Sequence, residues 1–262
     1  MPLKSKSNNP TIIGIIPARY NSKRLPAKLT LEIGGKPIIQ HTYENALKSK
    51  LTDEIIIAVD DDRLAKLCES FGAKYFMTPS NLNSGSDRVA YIVKNFINAD
   101  IIVNIQGDEP FISGKVIDKS IEPILFDSKV EVTTIITPIT KFKDLDNPSI
   151  VKVVFDYENC ALYFSRSRIP FLRDLKTQKQ AINSNLYFKH IGLYTFKRNA
   201  LLKFTSYNQT DLEIAEKLEQ LRMLEMGMKI KLVETNYNSI SIDTLDDLKL
   251  VRKIYSKIKH TQ

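Results

Sequence analysis

"GIIPARYNSKRLPAK", residues 14–28, opens as an apolar strand and closes as a loop carrying four cations, Arg19, Lys23, Arg24 and Lys28. A buried strand that delivers an anion-binding loop is the first unit of an open α/β sheet, so this stretch sets the fold class sought in the rest of the chain. Such loops usually hold phosphate on glycine-freed backbone amides. Neither G-x-G-x-x-G nor G-x-x-x-x-G-K-[ST] occurs here. Arginine forks and a lysine point charge can grip a triphosphate instead, and Pro17 and Pro26 limit the freedom the loop loses on closing. Taken alone, the same cations also suit a solvated surface after a core strand.

Working outward, the runs "EIIIAVD" (54–60), "AKYFM" (73–77), "IIVNIQ" (101–106) and "VEVTTIIT" (130–137) alternate with segments of helical period near 37–49, 62–71, 86–98 and 113–126. That alternation is the pattern of βαβ units and of a mostly parallel sheet covered on both faces. After Pro148 the rhythm changes. "VKVVFD", "CALYFS" and "YFKHIGLYTF" read as hairpin-like strands around a polar stretch at 172–185, an α+β part, followed by a helix at 212–226, a strand at 229–234 and a helix at 245–259. No repeat or low-complexity linker divides the chain. The expectation is a disordered tail over 1–10 and one α/β domain over 11–262.

The 262 residues carry a net charge of +8, with 43% hydrophobic and 26% charged residues, an ordinary composition for a globular protein. No apolar run approaches the ~18 residues that span a bilayer, and the basic N-terminus lacks a secretory h-region, so no membrane partner and a cytoplasmic location are expected. The charge admits nucleic acid, anionic lipid or a small anion as partner. Part of it lies in the last helix, which opens with Asp246 and Asp247 and ends with Lys253, Lys257 and Lys259, complementing the helix dipole. Cys68 and Cys160 form no metal-ligand or disulfide pattern, and Cys68 falls on the apolar stripe Leu64, Leu67, Cys68, Phe71.

Ligands of open α/β sheets lie beyond the carboxyl ends of the strands, and the strings found there are chemical. "NIQGDEP" puts Gln106, Asp108 and Glu109 at a strand exit, where Asp108 either builds a turn or ligates Mg²⁺. Asp243 is a second candidate carboxylate, or helps Thr244 start the last helix. "SNLNSGSDR" (80–88) reads as a helix start with Ser86 as N-cap, or as small residues lying against a base or ribose. In "YFSRSRIPF", Arg166 and Arg168 either stack on aromatics or clasp a carboxylate. His190 and Tyr194, four apart, share a strand face as a half-buried core pair. On helix 212–226, Ile214, Leu218 and Leu221 form the buried stripe, leaving Glu219 and Gln220 exposed or as acceptors for sugar hydroxyls. No persuasive Ser/His/Asp or Cys/His set is present, so no protein nucleophile is expected.

The strings "IIPARYNSKRLPAK", "GGKPIIQHTYENA", "MTPSNLNSGSDR", "VNIQGDEPFI", "NPSIVKVVFD", "ALYFSRSRIPF", "KHIGLYTFKR", "LEQLRMLEMGMKI" and "SIDTLDDL" cover residues 12 to about 250. In this order they resemble the CMP-Kdo synthetases, the 3-deoxy-manno-octulosonate cytidylyltransferases. Three departures are visible: Ala27 where the family usually has glycine, Asp87 for Glu, and Phe171 for Trp. The resemblance implies a Rossmann-like nucleotidyltransferase fold with a small α+β part. It also implies transfer of CMP from CTP to the anomeric hydroxyl of Kdo, with pyrophosphate released, for lipopolysaccharide synthesis. It implies Arg19, Arg24, Lys28 and Asp108 as catalytic groups, with Ala18, Arg19, Arg24, Lys28, Ser84, Gly85, Ser86 and Gln106 at the nucleotide. By the same matching, Gln106, Arg166, His190, Tyr194, Glu219 and Gln220 face the sugar, and Asp108 and Asp243 hold Mg²⁺. A homodimer using residues 160–195 is implied as well. Two rivals stand beside it: a CMP-sialic acid synthetase, and a basic nucleic-acid-binding module, against which speaks the lack of any recognised nucleic-acid motif.

Overall fold

The computed structural model describes residues 10–22, 24–174, 177–238 and 240–259. The tail expected over 1–10 falls outside them except for Pro10, as do Lys23 and the side chain of Lys259. Strand β1 (Ile12–Ala18) runs into the cationic loop, which ends in a single 3-10 turn at Lys28–Thr30. A short hairpin, β2 (Glu32–Ile33) and β3 (Lys36–Pro37), leads to α1 (Ile38–Ala46). There follow β4 (Glu54–Val59), α2 (Asp62–Ser70), β5 (Tyr75–Met77), α3 (Gly85–Asn95), β6 (Ile101–Asn104) and α4 (Gly114–Phe126). The second half holds β7 (Val132–Pro138), α5 (Phe142–Leu145), β8 (Lys152–Phe155), β9 (Ala161–Ser165), α6 (Gln178–Asn183) and β10 (Phe188–Lys197). It closes with α7 (Arg198–Thr205), α8 (Asp211–Glu216), α9 (Glu219–Glu225), β11 (Lys231–Glu234) and α10 (Leu245–Lys259).

The main sheet has the order β11-β7-β10-β6-β1-β4-β5, with β8 beside one end of β10 and β9 beside β8. Strands β6, β1, β4 and β5 are parallel, β11 is parallel to β7, and β10 is antiparallel to β6, β7 and β8. The expected mixed, mostly parallel sheet with helices on both faces is therefore present. The α+β half is woven into it: β10 sits mid-sheet, between strands from either side of α4.

Strand β1 shows why the sequence reads as apolar throughout. Ile12 and Ile16 face a core built with Ile38, Leu64, Cys68, Ile117 and Val251, whereas Ile13 and Ile15 face a second core with Val89, Ile92, Leu201, Phe204 and Leu221. Both faces are covered, so no polar position is tolerated, and each buried isoleucine contributes roughly 1.5–3 kcal/mol. Among the described residues no helix is long and apolar enough to cross a membrane.

Two expectations need correction. The single helix over 212–226 is broken at Lys217, which adopts a left-handed conformation (φ 55°, ψ 47°). The amides of Lys217 and Leu218 both return to the carbonyl of Glu213, a Schellman-type stop. Ile214 consequently turns outward, 47% exposed, while Leu218 and Leu221 stay buried. The N-cap of α3 is Ser84, whose hydroxyl accepts from the Asp87 amide at 3.1 Å; Ser86 is the second residue of the first turn. Helices α5, α6 and α7 lie where no helix was expected.

Candidate active site

The cleft begins where β6 stops following β1. The Ile105 amide donates to the Ile15 carbonyl at 2.9 Å, just past the last paired residues, Ile15 and Asn104. The next β1 position on that edge is Pro17, which has no N–H to leave unpaired. Gly107 lets the departing chain pass close by: a Cβ there would lie 3.2 Å from the Pro17 carbonyl oxygen. The gap so formed exposes Gln106 and Asp108.

From the other side the cationic loop reaches in. Ala27 holds the left-handed conformation (φ 50°, ψ 30°), a backbone that favours glycine, and Lys28 follows. Its ammonium lies 2.5 Å from Asp108 Oδ2 and 3.0 Å from Asp243 Oδ1, and the Arg24 guanidinium is 2.8 Å from the same Asp243 oxygen. Burial pushes the Lys28 pKa down, but the two carboxylates outweigh it and the net shift is upward. The helix-start alternative for Asp243 falls to its neighbours, because Thr244 and Asp247 cap α10 reciprocally through Thr244 N and Oγ1 to Asp247 Oδ2 and Asp247 N to Thr244 Oγ1. Asp243 is left with its carboxylate in the cleft. Two carboxylates that converge on one ammonium are hard oxygen donors around a cation position, a set that fits Mg²⁺.

The base of the loop is tethered. Arg19 donates to the Leu82 carbonyl at 2.5 Å, joining the first loop to the 80–88 string. Asp60 accepts from the Tyr20 amide at 2.9 Å and from the fully buried Arg88 at 3.2 Å. Burial pulls the Arg88 pKa down, with Asp60 opposing. Ala18 is buried at the end of β1, and Ser84 is buried in its cap. Gly85 and Ser86 line the cleft.

The whole cleft, aspartates included, encloses about 440 Å³, and all six residues matched to the sugar line it: Gln106, Arg166, His190, Tyr194, Glu219 and Gln220. The amide of Gln106 donates to the Gly192 carbonyl at 3.2 Å. His190 and Tyr194 stand in a ring series from Phe164 through Phe196 to Phe204, with successive centroids 5.1, 5.3, 5.7 and 6.2 Å apart. They are thus core and cleft wall at once. Burial lowers the His190 pKa to about 3, so the ring is neutral, with Nε2 at 2.9 Å from Thr134 Oγ1. Burial raises the Glu219 pKa, opposed by the hydroxyls of Ser86 and Ser84. The break at Lys217 is what turns Glu219 and Gln220 inward.

Among the described residues, no aromatic ring lies against the Arg166 guanidinium. Its Nε, Nη1 and Nη2 donate to the carbonyls of Glu216, Pro148 and Lys217 at 2.7, 2.8 and 3.3 Å. The cation–π reading holds for Arg168, whose guanidinium lies 5.3 Å from the Phe142 ring and 5.8 Å from that of Tyr187. Sequence reasoning missed Lys189, Asn104, Lys217 and Ser149–Val151, which also line the cleft. Lys189 donates to Asn238 Oδ1 at 2.8 Å, and burial lowers its pKa against the pull of Glu109 and Asp144. Its place beside His190 in "KHIGLY" was the available signal, but strand alternation assigns the two to opposite faces. At this end β10 pairs with both β7 and β8, and both side chains border the cleft.

Comparison with known proteins agrees with this geometry. The Cytidylyltransferase family matches residues 13–230. The 3-deoxy-manno-octulosonate cytidylyltransferase of Chloroherpeton thalassium is 46% identical over 245 residues, spanning 93% of this chain and 97% of that one. The protein of the same name from Geobacter metallireducens is 46% identical over 248 residues, 93% of this chain and 97% of its own. A solved CMP:2-keto-3-deoxy-manno-octonic acid synthetase complexed with CTP superposes with a TM-score of 0.87 at 36% identity, covering 94% of this chain and 99% of that one. Fold, cleft and likeness along nearly the whole chain converge, and the chain belongs to the 3-deoxy-manno-octulosonate cytidylyltransferases.

Proposed function

We propose that the protein transfers CMP from CTP to the anomeric hydroxyl of Kdo, releasing pyrophosphate, for lipopolysaccharide synthesis in the cytoplasm. The observation that carries the reading is the cleft itself, in which the Lys28–Asp108–Asp243–Arg24 cluster opens directly onto the chamber lined by Gln106, His190, Tyr194, Glu219 and Gln220. The anomeric oxygen attacks the α-phosphorus in line, a new P–O bond forms as the α–β bridging P–O bond breaks, and the hydroxyl proton is lost. Catalysis is then mainly alignment and charge stabilisation. Arg24 and Lys28 face the leaving pyrophosphate, and Arg19, anchored on Leu82, fixes the loop that carries them. Gln106, Glu219 and Gln220 offer hydrogen bonds to sugar hydroxyls, and the neutral His190 and Tyr194 form a rigid wall.

Mg²⁺ is the cofactor we propose, held by Asp108 and Asp243; when bound it supplies charge neutralisation to the phosphates. A homodimer is supported by the exposed apolar side chains of Leu162, Phe171 and Leu186 within residues 160–195. The nucleic-acid reading loses ground, because the cations of the loop are already paired: Arg19 with the Leu82 carbonyl, Lys28 with Asp108 and Asp243, and the more exposed Arg24 with Asp243. The test is pyrophosphate release with Mg²⁺, each of CTP, UTP, ATP and GTP, and Kdo or N-acetylneuraminate as acceptor. Release with CTP and Kdo alone is expected. Release with N-acetylneuraminate alone would reassign the sugar, and no release with any pair would overturn the proposal.

A further inference from the structure

Lys152 is a lysine with no exposed surface, on a strand end beside the cleft. An ammonium has three N–H donors, and here the Lys152 ammonium meets three backbone carbonyls: Asn147 at 3.1 Å, Ile150 at 2.8 Å and Arg166 at short range. Burial lowers its pKa, with Asp146 and Glu216 opposing. A buried charge persists only when its hydrogen-bonding capacity is met, and this one is met wholly by main chain. Next to it, Arg166 spends three of its five N–H groups on the carbonyls of Pro148, Glu216 and Lys217. Glu216 answers with its carboxylate, accepting from Ser165 Oγ at 2.6 Å and the Arg166 amide at 2.9 Å. The two cations thus fasten three separate segments: 147–151, the end of β9, and the left-handed break between α8 and α9. Those segments present Ser149–Val151 and Lys217–Gln220 to the cleft.

We infer that Lys152 is a positioning residue for the acceptor half of the cleft, acting with Arg166 as a main-chain staple that holds the wall carrying Glu219 and Gln220 in place. The inference rests on the reading of that half as the sugar site. Arg166 accordingly serves through its forked geometry more than through its charge.

The test compares Lys152→Met and Arg166→Lys with wild type in pyrophosphate release, CTP binding by calorimetry, and hydrogen exchange of the ligand-free protein. Either variant is expected to lower kcat/KM for Kdo by on the order of 10²-fold, the scale of a small misplacement of a binding wall, with CTP affinity unchanged. Amides of 147–151 and 216–220 should exchange faster while β1 and β4 do not. The double variant should be no worse than the more impaired single one, as for groups acting through a shared unit. Unchanged acceptor kinetics in both variants would overturn the inference. So would a parallel loss of CTP affinity and global protection, which marks plain destabilisation. Arg166→Lys retaining wild-type Kdo turnover would return Arg166 to a role as bare charge and overturn the staple. A wild type inactive with Kdo would sink the sugar reading instead, and the exchange pattern would still decide the staple.

Discussion

Lys28→Met should separate two jobs done by one ammonium. The methionine keeps the apolar stem and removes a charge that lies 2.5 and 3.0 Å from carboxylates of Asp108 and Asp243. Without nucleotide, that ammonium competes with any divalent cation for the same oxygens. A unit charge about 4 Å from a divalent cation contributes about 8 kcal/mol at an effective dielectric near 20. The three side chains retain 12, 21 and 31% of their exposure, so we halve the figure for solvent screening to about 4 kcal/mol, or about 10³-fold. Mn²⁺ should therefore bind the nucleotide-free variant about 10³ times more tightly than wild type, read by electron paramagnetic resonance of the free ion. With CTP and Kdo the same variant loses a contact to the leaving group, and kcat should fall by about 10² to 10³. Opposite signs from one substitution make the argument easy to break. Mn²⁺ affinity that is unchanged or weaker shows that the aspartate pair is not the cation site, and undiminished kcat removes Lys28 from the phosphates.

Between pH 3 and 6.5 the unfolded chain protonates His190 and the folded one, with its pKa near 3, does not. That residue should make stability climb by up to about 1.4 kcal/mol per pH unit across the window, and urea unfolding of His190→Phe should show a slope shallower by that amount. Ala27→Gly relieves a left-handed alanine, worth about 1–2 kcal/mol, less about 0.5–1 kcal/mol of glycine entropy; a higher thermal midpoint is expected, and a lower one would contradict the strained turn. Arg88→Met strands the Asp60 carboxylate against the Tyr20 amide and should cost about 3–5 kcal/mol in urea unfolding. A loss below about 1 kcal/mol would show that the pair does not hold the loop.

What the sequence disclosed follows from what is written locally in it. The apolar runs of β1, β4 and β6 announce strands covered on both faces, and the strings at their ends announce the aspartates and the cations. The break at Lys217 is not announced, because no glycine marks it and the apolar spacing of Leu218 and Leu221 continues a helix. It is fixed by the carbonyl of Glu213 and by Arg166, 51 residues away. Ser86 and Ser84 are equally good caps in isolation, and only the packing of α3 against β1 selects the latter. Lys152 carries no clear local mark: a lysine among valines reads as an outward position, and although the Asn147 and Ile150 carbonyls lie just upstream, the third acceptor is the carbonyl of Arg166, 14 residues further on.

Synthesis from the N-terminus gives the central strand β10 a temporal consequence. One edge of β6 stands unpaired until its partner residues in β10 emerge about 90 residues later, a wait of roughly 4–18 s at ribosomal rates. During it, the amides and carbonyls of Ile101–Asn104 offer a bare template for any passing strand. Crowded expression should therefore punish this protein in the nascent state, before a cleft exists, and slowing translation between residues 104 and 188 should lower the soluble yield without altering the stability of the finished molecule.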